Sequence, residues 1–234
     1  MDETVSRCLE LIAEKRPVQH VVLNASKVVL LADDDRLRDI VASCDLVGID
    51  GQSVVWAGRL LGVAVPERVA GFDLMLRLLE ESRDRSLPVY FLGAKPDVLE
   101  RFLSVVRERY PGLDIRGYRD GYFDDDGAVA DEIAASGARL LFVGITSPRK
   151  EYFVSSRLHQ LGPVFVMGVG GSFDIVAGIT KRAPTWMQRA GLEWFYRLLS
   201  EPRRMWRRYL IGNARFIALT FREYRKHRGV RSAR

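Results

Sequence analysis

The pattern of hydrophobic and polar residues predicts alternating strands and helices over the first three quarters of the chain. Short apolar runs, typical of strands buried on both faces, alternate with stretches in which apolar residues recur every three or four positions, as in amphipathic helices. The runs that we interpret as strands are residues 20–24, 46–50, 88–92, 115–122, 139–145 and 163–169. This alternation favours an α/β fold, specifically a Rossmann-like, doubly wound and mostly parallel sheet.

The last quarter of the chain shows a different pattern, without any strand-like run. It predicts two helices, residues 184–199 and 202–224, separated at Glu201-Pro202. At 100° per residue, the second helix has one broad apolar face and an opposite stripe of arginines, which are Arg204, Arg208, Arg215 and Arg222. The apolar face comprises Trp206, Tyr209, Leu210, Phe216, Ile217, Phe221 and Tyr224. We therefore divide the chain into an α/β core, residues 1–183, and a basic helical C-terminal appendage, residues 184–234.

Charge is distributed unevenly between these two parts. Residues 178–234 hold fifteen basic and three acidic residues, a net charge of +12, whereas the preceding residues hold 21 basic and 27 acidic ones, a net charge of −6. A basic appendage indicates an anionic partner: a nucleic acid, an anionic membrane surface or a phosphorylated substrate. The two cysteines are too few for a disulfide scaffold, and no segment reads as a signal peptide or a transmembrane helix. We expect a cytoplasmic protein.

Candidate chemistry follows the predicted strands, because ligands of doubly wound sheets bind beyond the carboxyl ends of the strands. The residues at these positions are Asn24, Asp50-Gly51, Gly93, Thr146-Ser147-Pro148 and Gly170-Gly171-Ser172. Asp50 ends an apolar strand, so its carboxylate could act as a general base or could instead cap the next helix. Glycine-rich turns allow backbone N–H groups to approach a phosphate, although they also occur without any ligand.

Two further features of the sequence can be explained either by chemistry or by structure alone. Arg68 follows a proline turn and could clamp a phosphate or could form a surface ion pair with Glu67 or Asp73. The runs Asp33-Asp34-Asp35 and Asp124-Asp125-Asp126 match a metal-binding pattern, but both precede predicted helices and are explained by capping. No histidine and cysteine spacing suits zinc, and we expect neither a metal nor a cofactor.

An ordered series of short motifs spans about residues 20–210. It comprises Leu23-Asn24-Ala25, Asp50-Gly51, the segment 66–74 (Pro-Glu-Arg-Val-Ala-Gly-Phe-Asp-Leu), Phe91-Leu92-Gly93, Tyr110-Pro111-Gly112, Gly117, Asp120-Gly121-Tyr122-Phe123, Val143-Gly144, Ser147-Pro148, Glu151, the segment 168–174 (Gly-Val-Gly-Gly-Ser-Phe-Asp), Ala177-Gly178, Arg182-Ala183-Pro184, Gly191-Leu192-Glu193-Trp194, Tyr196-Arg197 and Glu201-Pro202-Arg203. This series resembles the WecG/TagA/CpsF glycosyltransferases, glycosyltransferase family 26.

The resemblance implies an inverting, metal-independent transfer of a sugar, often N-acetylmannosamine, from a UDP-sugar to a polyprenyl-diphosphate-linked acceptor. Such reactions build teichoic acid linkage units, exopolysaccharides and related surface polymers. The resemblance implies that Asp50 is the base, that Asn24 lies near it and that Arg68 contacts phosphate. It also assigns Gly170, Gly171 and Asp174 to the nucleotide site, and with Gly93, Lys150 and Glu151 these residues complete the expected substrate contacts. The expected location is the inner face of the cell membrane, held peripherally through the appendage arginines, and a homo-oligomer is compatible with the family.

Two positions depart from the family pattern. Val22 stands where the family often has threonine, and Lys150 stands where it usually has glutamine. Loss of a hydroxyl and gain of a cation would alter the sugar pocket, so another hexose is an alternative to N-acetylmannosamine. Two other classes of function stay open at this point: a nucleic-acid-binding module that uses the arginine stripe, and an inactive sugar-nucleotide-binding protein. No nucleic-acid-binding motif supports the first, and we expect no nucleic-acid partner.

Overall fold

A computed structural model of the chain describes residues 1–65 and 67–232. At residues 189, 204, 205, 207, 208 and 227–232 it describes the backbone alone, so Pro66 and the side chains of Arg204 and Arg208 lie outside the described part of the structure. One six-stranded sheet has the strand order β2-β1-β6-β5-β3-β4. The strands are β1 (Val18–Leu23), β2 (Leu46–Ile49), β3 (Val89–Gly93), β4 (Ile115–Arg119), β5 (Leu140–Gly144) and β6 (Phe165–Gly168).

Helices connect the strands and complete the C-terminal part of the chain. They are α1 (Asp2–Ala13), α2 (Ala25–Asp33), α3 (Asp35–Ala42), α4 (Gln52–Leu60), α5 (Gly71–Asp84), α6 (Pro96–Arg109), α7 (Asp126–Ser136), α8 (Arg149–Arg157), α9 (Ser172–Val176), α10 (Thr185–Arg189), α11 (Glu193–Ser200), α12 (Pro202–Trp206) and α13 (Gly212–Ser232), with a π-helical segment at Arg207–Ile211. Strands β1 and β6, β6 and β5, β5 and β3, and β3 and β4 pair in parallel. The predicted α/β class, with a mostly parallel sheet, is confirmed.

The chain forms two compact units, of which the first comprises residues 1–22, 39–48 and 69–181. Its sheet is covered on both faces, as the alternation along β3 demonstrates. Val89 and Phe91 belong to one apolar cluster, which includes residues of α1, α5 and α6, whereas Tyr90 and Leu92 belong to another, which includes residues of α7 and α8. Successive strand side chains point to opposite faces, so each cluster is the core of one layer of a doubly wound fold.

The second unit comprises residues 23–38, 49–68 and 182–234. It joins α2 and α4, from the first third of the sequence, to the helices of the basic appendage. Helix α13 packs against α2, and the guanidinium of Arg215 donates a hydrogen bond of 2.7 Å to the Asp33 carboxylate. Three separate segments of the chain therefore build this unit.

Capping explains the two acidic runs that precede helices only in part. The Asp34 carboxylate accepts a hydrogen bond from the backbone N–H of Leu37, and the Asp125 carboxylate accepts from Gly127 and Ala128 at the start of α7. These bonds lower the pKa of Asp125, because they stabilise its charged form. Capping therefore accounts for one carboxylate in each acidic run, whereas Asp33 instead pairs with Arg215 in the second unit.

The predicted helices of the appendage differ from the observed ones in two ways. The predicted helix over residues 184–199 was wrong, because the segment forms α10 and α11 with Gly191 between them at a φ of +72°. The predicted apolar face of the following helix was also wrong in part. Tyr209 and Phe216 are buried, but Leu210 and Ile217 are exposed, and a π-helical segment at Arg207–Ile211 interrupts the 100° spacing on which the prediction rested.

Among the helices that the structure describes, none combines the length and the apolar character that crossing a bilayer requires.

Candidate active site

A cavity of about 480 Å³ lies in the second unit. Three residues singled out in the sequence, Asn24, Asp50 and Arg68, all line it, although 44 positions separate the first from the last. We call this space the Asp50 cavity. Ala25 and Ser26 at the start of α2 also line it, as do Gln52 and Ser53 at the start of α4.

Asp50 follows β2 directly and is fixed through its backbone. Its N–H donates a hydrogen bond of 2.9 Å to the carbonyl of Leu23, and its carbonyl accepts one of 2.5 Å from Nε of Arg68. Gly51, and not Asp50, is the N-cap residue of α4. The side chain of Asp50 is about one-third exposed (34%) and lines the Asp50 cavity, so Asp50 can present its carboxylate to the cavity as a proton acceptor.

Arg68 is held by hydrogen-bond acceptors from two segments of the second unit, residues 49–68 and residues 182–234. Besides the carbonyl of Asp50, its guanidinium donates to the carbonyl of Gln188 at 3.0 Å and to the carboxylate of Glu193 at 3.0 Å. A longer contact of 3.5 Å joins Nη2 to Oδ1 of Asp50. Four of the five N–H donors of the side chain are thus directed at protein acceptors.

This arrangement differs from the ion pair that the sequence suggested for Arg68. The expected surface ion pair with Glu67 or Asp73 is replaced by the contacts with Asp50 and Glu193. The side chain of Arg68 is only 19% exposed, and its contacts tie the loop that carries Asp50 to helices α10 and α11. Phosphate binding by Arg68 stays a prediction, and positioning of Asp50 is the role that its hydrogen bonds favour.

Asn24 is the N-cap residue of α2. Its Oδ1 accepts a hydrogen bond of 3.0 Å from the backbone N–H of Lys27, which satisfies one of the unpaired donors at the start of the helix. The cap uses the oxygen of the amide, so the NH₂ group of Asn24 keeps its two donors on the side chain that lines the Asp50 cavity.

The rest of the lining of the Asp50 cavity includes both charged and apolar side chains. Glu193 and Arg197 of α11 line it, with 4.0 Å between their charged groups. Neither residue was among the predicted site residues, although both lie in the motifs Gly191-Leu192-Glu193-Trp194 and Tyr196-Arg197. The apolar part of the wall comprises Trp56, Ala57, Leu60, Trp194, Tyr209, Phe216, Ile217 and Phe221. The lining of the Asp50 cavity therefore combines charged, polar and apolar side chains.

Arg215 and Arg222, the stripe arginines whose side chains the structure describes, lie seven residues apart on α13 and therefore on nearly the same face of that helix. Arg215 pairs with Asp33, which raises the pKa of Arg215 through their hydrogen bond, and exposed Arg222 lies 3.6 Å from Glu223. The expected roles of Arg204 and Arg208 concern side chains outside the described part of the structure.

The remaining predicted site residues belong to the first unit. Gly93, with a φ of +135°, lies so close to β5 that an added Cβ would come within 2.5 Å of the backbone of Gly144. This close approach of two strands gives Gly93 a packing role. Gly170, Gly171 and partly exposed Asp174 form the turn before and the first turn of α9.

Lys150 and Glu151 lie at the start of α8. The ammonium of Lys150 is 3.6 Å from the carboxylate of Glu151, which is almost fully buried and also accepts a hydrogen bond of 3.0 Å from the hydroxyl of Ser147. The stem of Lys150 lies against the backbone of Gly168. A cavity of about 10 Å³ beside these residues has room for no more than a water molecule.

Comparison with known proteins gives consistent matches. The family model described as "Glycosyl transferase WecG/TagA/CpsF family" matches residues 1–230. An N-acetylglucosaminyldiphosphoundecaprenol N-acetyl-beta-D-mannosaminyltransferase of Bacillus spizizenii is 39% identical over 175 residues, which cover 75% of this chain and 68% of the relative. The protein of the same name from Bacillus subtilis is 38% identical over 172 residues, which cover 74% of this chain and 67% of the relative.

The motifs, the doubly wound sheet and these matches agree over nearly the whole chain, and so the protein belongs to the WecG/TagA/CpsF family of glycosyltransferases.

Proposed function

We propose that this glycosyltransferase moves a hexose from a UDP-sugar to a sugar linked through diphosphate to a polyprenyl lipid. The observation that carries the proposal is the Asp50 cavity. In it, a carboxylate at the end of a strand lines a space of about 480 Å³ whose lining also includes many apolar side chains. The names of both Bacillus relatives describe transfer of N-acetylmannosamine to N-acetylglucosaminyldiphosphoundecaprenol. An acceptor of that class has a polar sugar diphosphate and a long apolar chain, which suits a cavity lined by both charged and apolar side chains.

Asp50 acts as the general base in the proposed reaction. The acceptor hydroxyl attacks the anomeric carbon while UDP leaves from the opposite face, so one displacement inverts the configuration. The carboxylate of Asp50 takes the proton of the attacking hydroxyl, a contribution of about 10²- to 10⁴-fold to the rate. Arg68 holds the carboxylate of Glu193 at 3.0 Å and that of Asp50 at the longer distance of 3.5 Å, and we assign the base to Asp50, following the family pattern.

Positive charge near the base supports a reaction without a metal. Arg68 and Arg197 line the Asp50 cavity, as do the first residues of α2 and α4, whose N-terminal N–H groups attract anions. These groups would stabilise phosphate oxygens of the substrates. We assign contacts with the nucleotide to Gly170, Gly171 and Asp174, following the family pattern. Lys150 replaces the usual glutamine of that pattern, so the donor is either UDP-N-acetylmannosamine or the UDP derivative of another hexose.

The proposed acceptor resides in a membrane, so we propose that the enzyme works peripherally at the inner face of the cell membrane. The net charge of +12 on residues 178–234 supports attraction to an anionic leaflet, where each lysine or arginine contributes about 1 kcal/mol.

Replacement of the proposed base tests the reaction directly. We expect Asp50→Asn to lower kcat at least about 100-fold, because the amide cannot accept the proton, and to leave UDP-sugar binding nearly unchanged. UDP release is measured with a panel of UDP-sugars and a prenyl-diphosphate-linked N-acetylglucosamine acceptor, and donor binding is measured by calorimetry.

Asp39→Asn is the matched control, because Asp39 is an exposed carboxylate of α3 in the first unit. Turnover of Asp50→Asn at the level of this control would refute the role of Asp50. Failure of the wild-type protein to release UDP with any donor of the panel would refute the proposed reaction itself.

A further inference from the structure

The segment that follows Asp50 is unusually apolar for a surface element. Residues 51–66 contain no aspartate or glutamate, and Arg59 is the one charged residue among them. Within this segment the exposed large side chains are Trp56, Leu60 and Val63, with 56%, 44% and 57% of their surfaces exposed. An exposed apolar segment without acidic residues marks a contact surface more often than a solvated one.

The backbone gives the later part of this apolar segment, residues 56–65, a defined conformation, and we call these residues the tip. Helix α4 ends at Leu60 with Leu61 as its C-cap, and the next residue, Gly62, has a φ of +74° in the left-handed region. The N–H of Gly62 donates to the carbonyl of Arg59 and the N–H of Val63 donates to the carbonyl of Gly58, the paired bonds of a Schellman motif.

The identity of residue 58 explains why Val63 is exposed. The residue after the glycine of a Schellman motif usually packs back onto the helix. Here the position that it would cover is Gly58, which has no side chain and is contacted by Val65 instead. The geometry therefore directs Val63 outward at the end of the tip.

The tip adjoins the mouth of the Asp50 cavity. Trp56 and Leu60 line the cavity and are also about half exposed, and the same is true of Ile217 and Phe221 on α13. These four side chains both line the cavity and reach the surface of the second unit, and we call them the apolar rim.

We propose that the tip, residues 56–65, and the apolar rim insert into the interfacial layer of a phospholipid leaflet, so that a lipid-linked acceptor enters the Asp50 cavity without leaving the membrane. The inference rests on the proposed function, and it adds a lipid contact beyond the basic appendage. Tryptophan favours the level of the lipid headgroups. Exposed Arg59, for which the described residues offer no ion-pair partner, can extend its guanidinium to lipid phosphates while its stem lies among the apolar side chains.

Charge complementarity favours a lipid surface as the occupant. The tip combines apolar side chains with a single positive charge, and α11 adds Arg197 on the wall of the cavity that opens beside it. Anionic headgroups complement this pattern, and the leaflet also contains the substrate that must reach Asp50.

Substitution of Val63 tests the contact, because Val63 is exposed and does not line the Asp50 cavity. We expect Val63→Glu to weaken binding to vesicles of phosphatidylglycerol and phosphatidylcholine about tenfold or more, because a charge replaces an inserted apolar group. Val63→Trp should strengthen the same binding several-fold. Val47→Glu is the matched control, since Val47 is an exposed valine of the first unit, and it should change binding less than about twofold.

A second measurement links the contact to turnover. With an acceptor that has a long prenyl chain in vesicles, Val63→Glu should lose about tenfold in kcat/KM, whereas with a water-soluble, short-chain acceptor it should match the wild-type enzyme. Unchanged vesicle binding of both Val63 variants would overturn the inference, as would an equal loss of turnover on both acceptors.

A second copy of this chain is the other possible partner of the tip, and analytical ultracentrifugation tests for it. A Val63→Glu variant that dissociates a wild-type oligomer without a change in vesicle binding would assign the tip to contacts between copies of the chain and overturn the inference. Wild-type protein that turns over neither acceptor would refute the proposed function, and vesicle binding would still decide the role of the tip.

Discussion

At the scale of single residues, Arg68 shows how one side chain can connect distant parts of a sequence. Its partners at Gln188 and Glu193 lie 120 and 125 positions later in the chain. A planar guanidinium with five donors can serve several acceptors at once, whereas the ammonium of lysine is a compact charge without that fork geometry. Arg68 is therefore placed to keep the loop of Asp50 in register with α10 and α11.

We expect Arg68→Lys to lower the free energy of unfolding by about 2 kcal/mol, because hydrogen bonds of a charged group that is mostly buried are lost. Chemical denaturation measures the change. Arg77→Lys is the control, since Arg77 forms half-exposed ion pairs with Asp2 and Glu80, and such surface pairs contribute at most about 1 kcal/mol. Equal stability of the two variants would show that the Arg68 contacts do not hold the second unit together.

The residue scale also shows what the sequence could reveal about the candidate site. Asp50, Asn24 and Arg68 could be selected because each has a chemically capable side chain in a recognisable position. The hydrogen-bond acceptors of Arg68 could not be selected in this way. One of them is the backbone carbonyl of Gln188, and residues of every type have a backbone carbonyl. Glu193 and Arg197 stood in the quoted motifs, but only the folded chain reveals that their side chains line the same cavity.

At the scale of elements, the residues at the start of a helix reveal as much about the candidate site as the residues on the faces of that helix. Asn24 caps α2 with its oxygen and keeps its amide donors on the lining of the Asp50 cavity. A capping role and a substrate-binding role can therefore be separated by substitutions that preserve one of them.

We expect Asn24→Ala to lower the free energy of unfolding by about 1 kcal/mol through loss of the cap and to lower turnover as well. Asn24→Asp should restore most of the stability, because a carboxylate also caps, but not the turnover, because it lacks the amide donors. Thermal unfolding and UDP release measure the two effects. Asp125→Ala removes a comparable cap from α7 in the first unit and should cost about as much stability at unchanged turnover. Full turnover of Asn24→Asp would limit Asn24 to capping.

The sequence pattern predicted the strands and helices of the first unit closely, whereas it did not predict the helices of the appendage closely. The apolar runs of β3, β5 and β6 are buried on both faces, so composition alone identifies them. In the appendage, the direction of each side chain depends on the cumulative rotation along a helix. One left-handed residue at Gly191 and one π-helical segment at Arg207–Ile211 are enough to change that rotation. The glycine is a signal for a helix end that the predicted helix over residues 184–199 did not take into account, whereas the π-helical segment has no strong sequence signal.

At the scale of the whole molecule, charge and apolar surface make separable contributions to the proposed membrane contact. The net charge of +12 on residues 178–234 acts over roughly a Debye length, which shrinks as salt is added. The tip, by contrast, contributes mainly by burial of apolar surface, which moderate salt changes little.

We therefore expect binding to anionic vesicles to weaken at least about tenfold between roughly 0.05 M and 0.5 M salt, since screening reduces the contribution of about 1 kcal/mol per basic residue near the surface. Binding to vesicles of phosphatidylcholine alone should be weaker and nearly independent of salt. Sedimentation with vesicles across a salt series measures both. Salt-independent binding to anionic vesicles would exclude the appendage charge as a contributor.

The three-segment construction of the second unit has a consequence for the order in which activity arises during synthesis. A chain emerging from the ribosome can pair the early strands of the first unit while residues 182–234 are still unmade, because domains tend to fold from their N-terminal parts onward. The wall formed by α11 and α13 closes over Asp50 only after a long loop is brought together, at an entropic cost that its new contacts must exceed. A polypeptide that still lacks residues 182–234 thus contains Asp50 without the wall that α11 and α13 contribute, and we expect activity to arise only after these helices have been made.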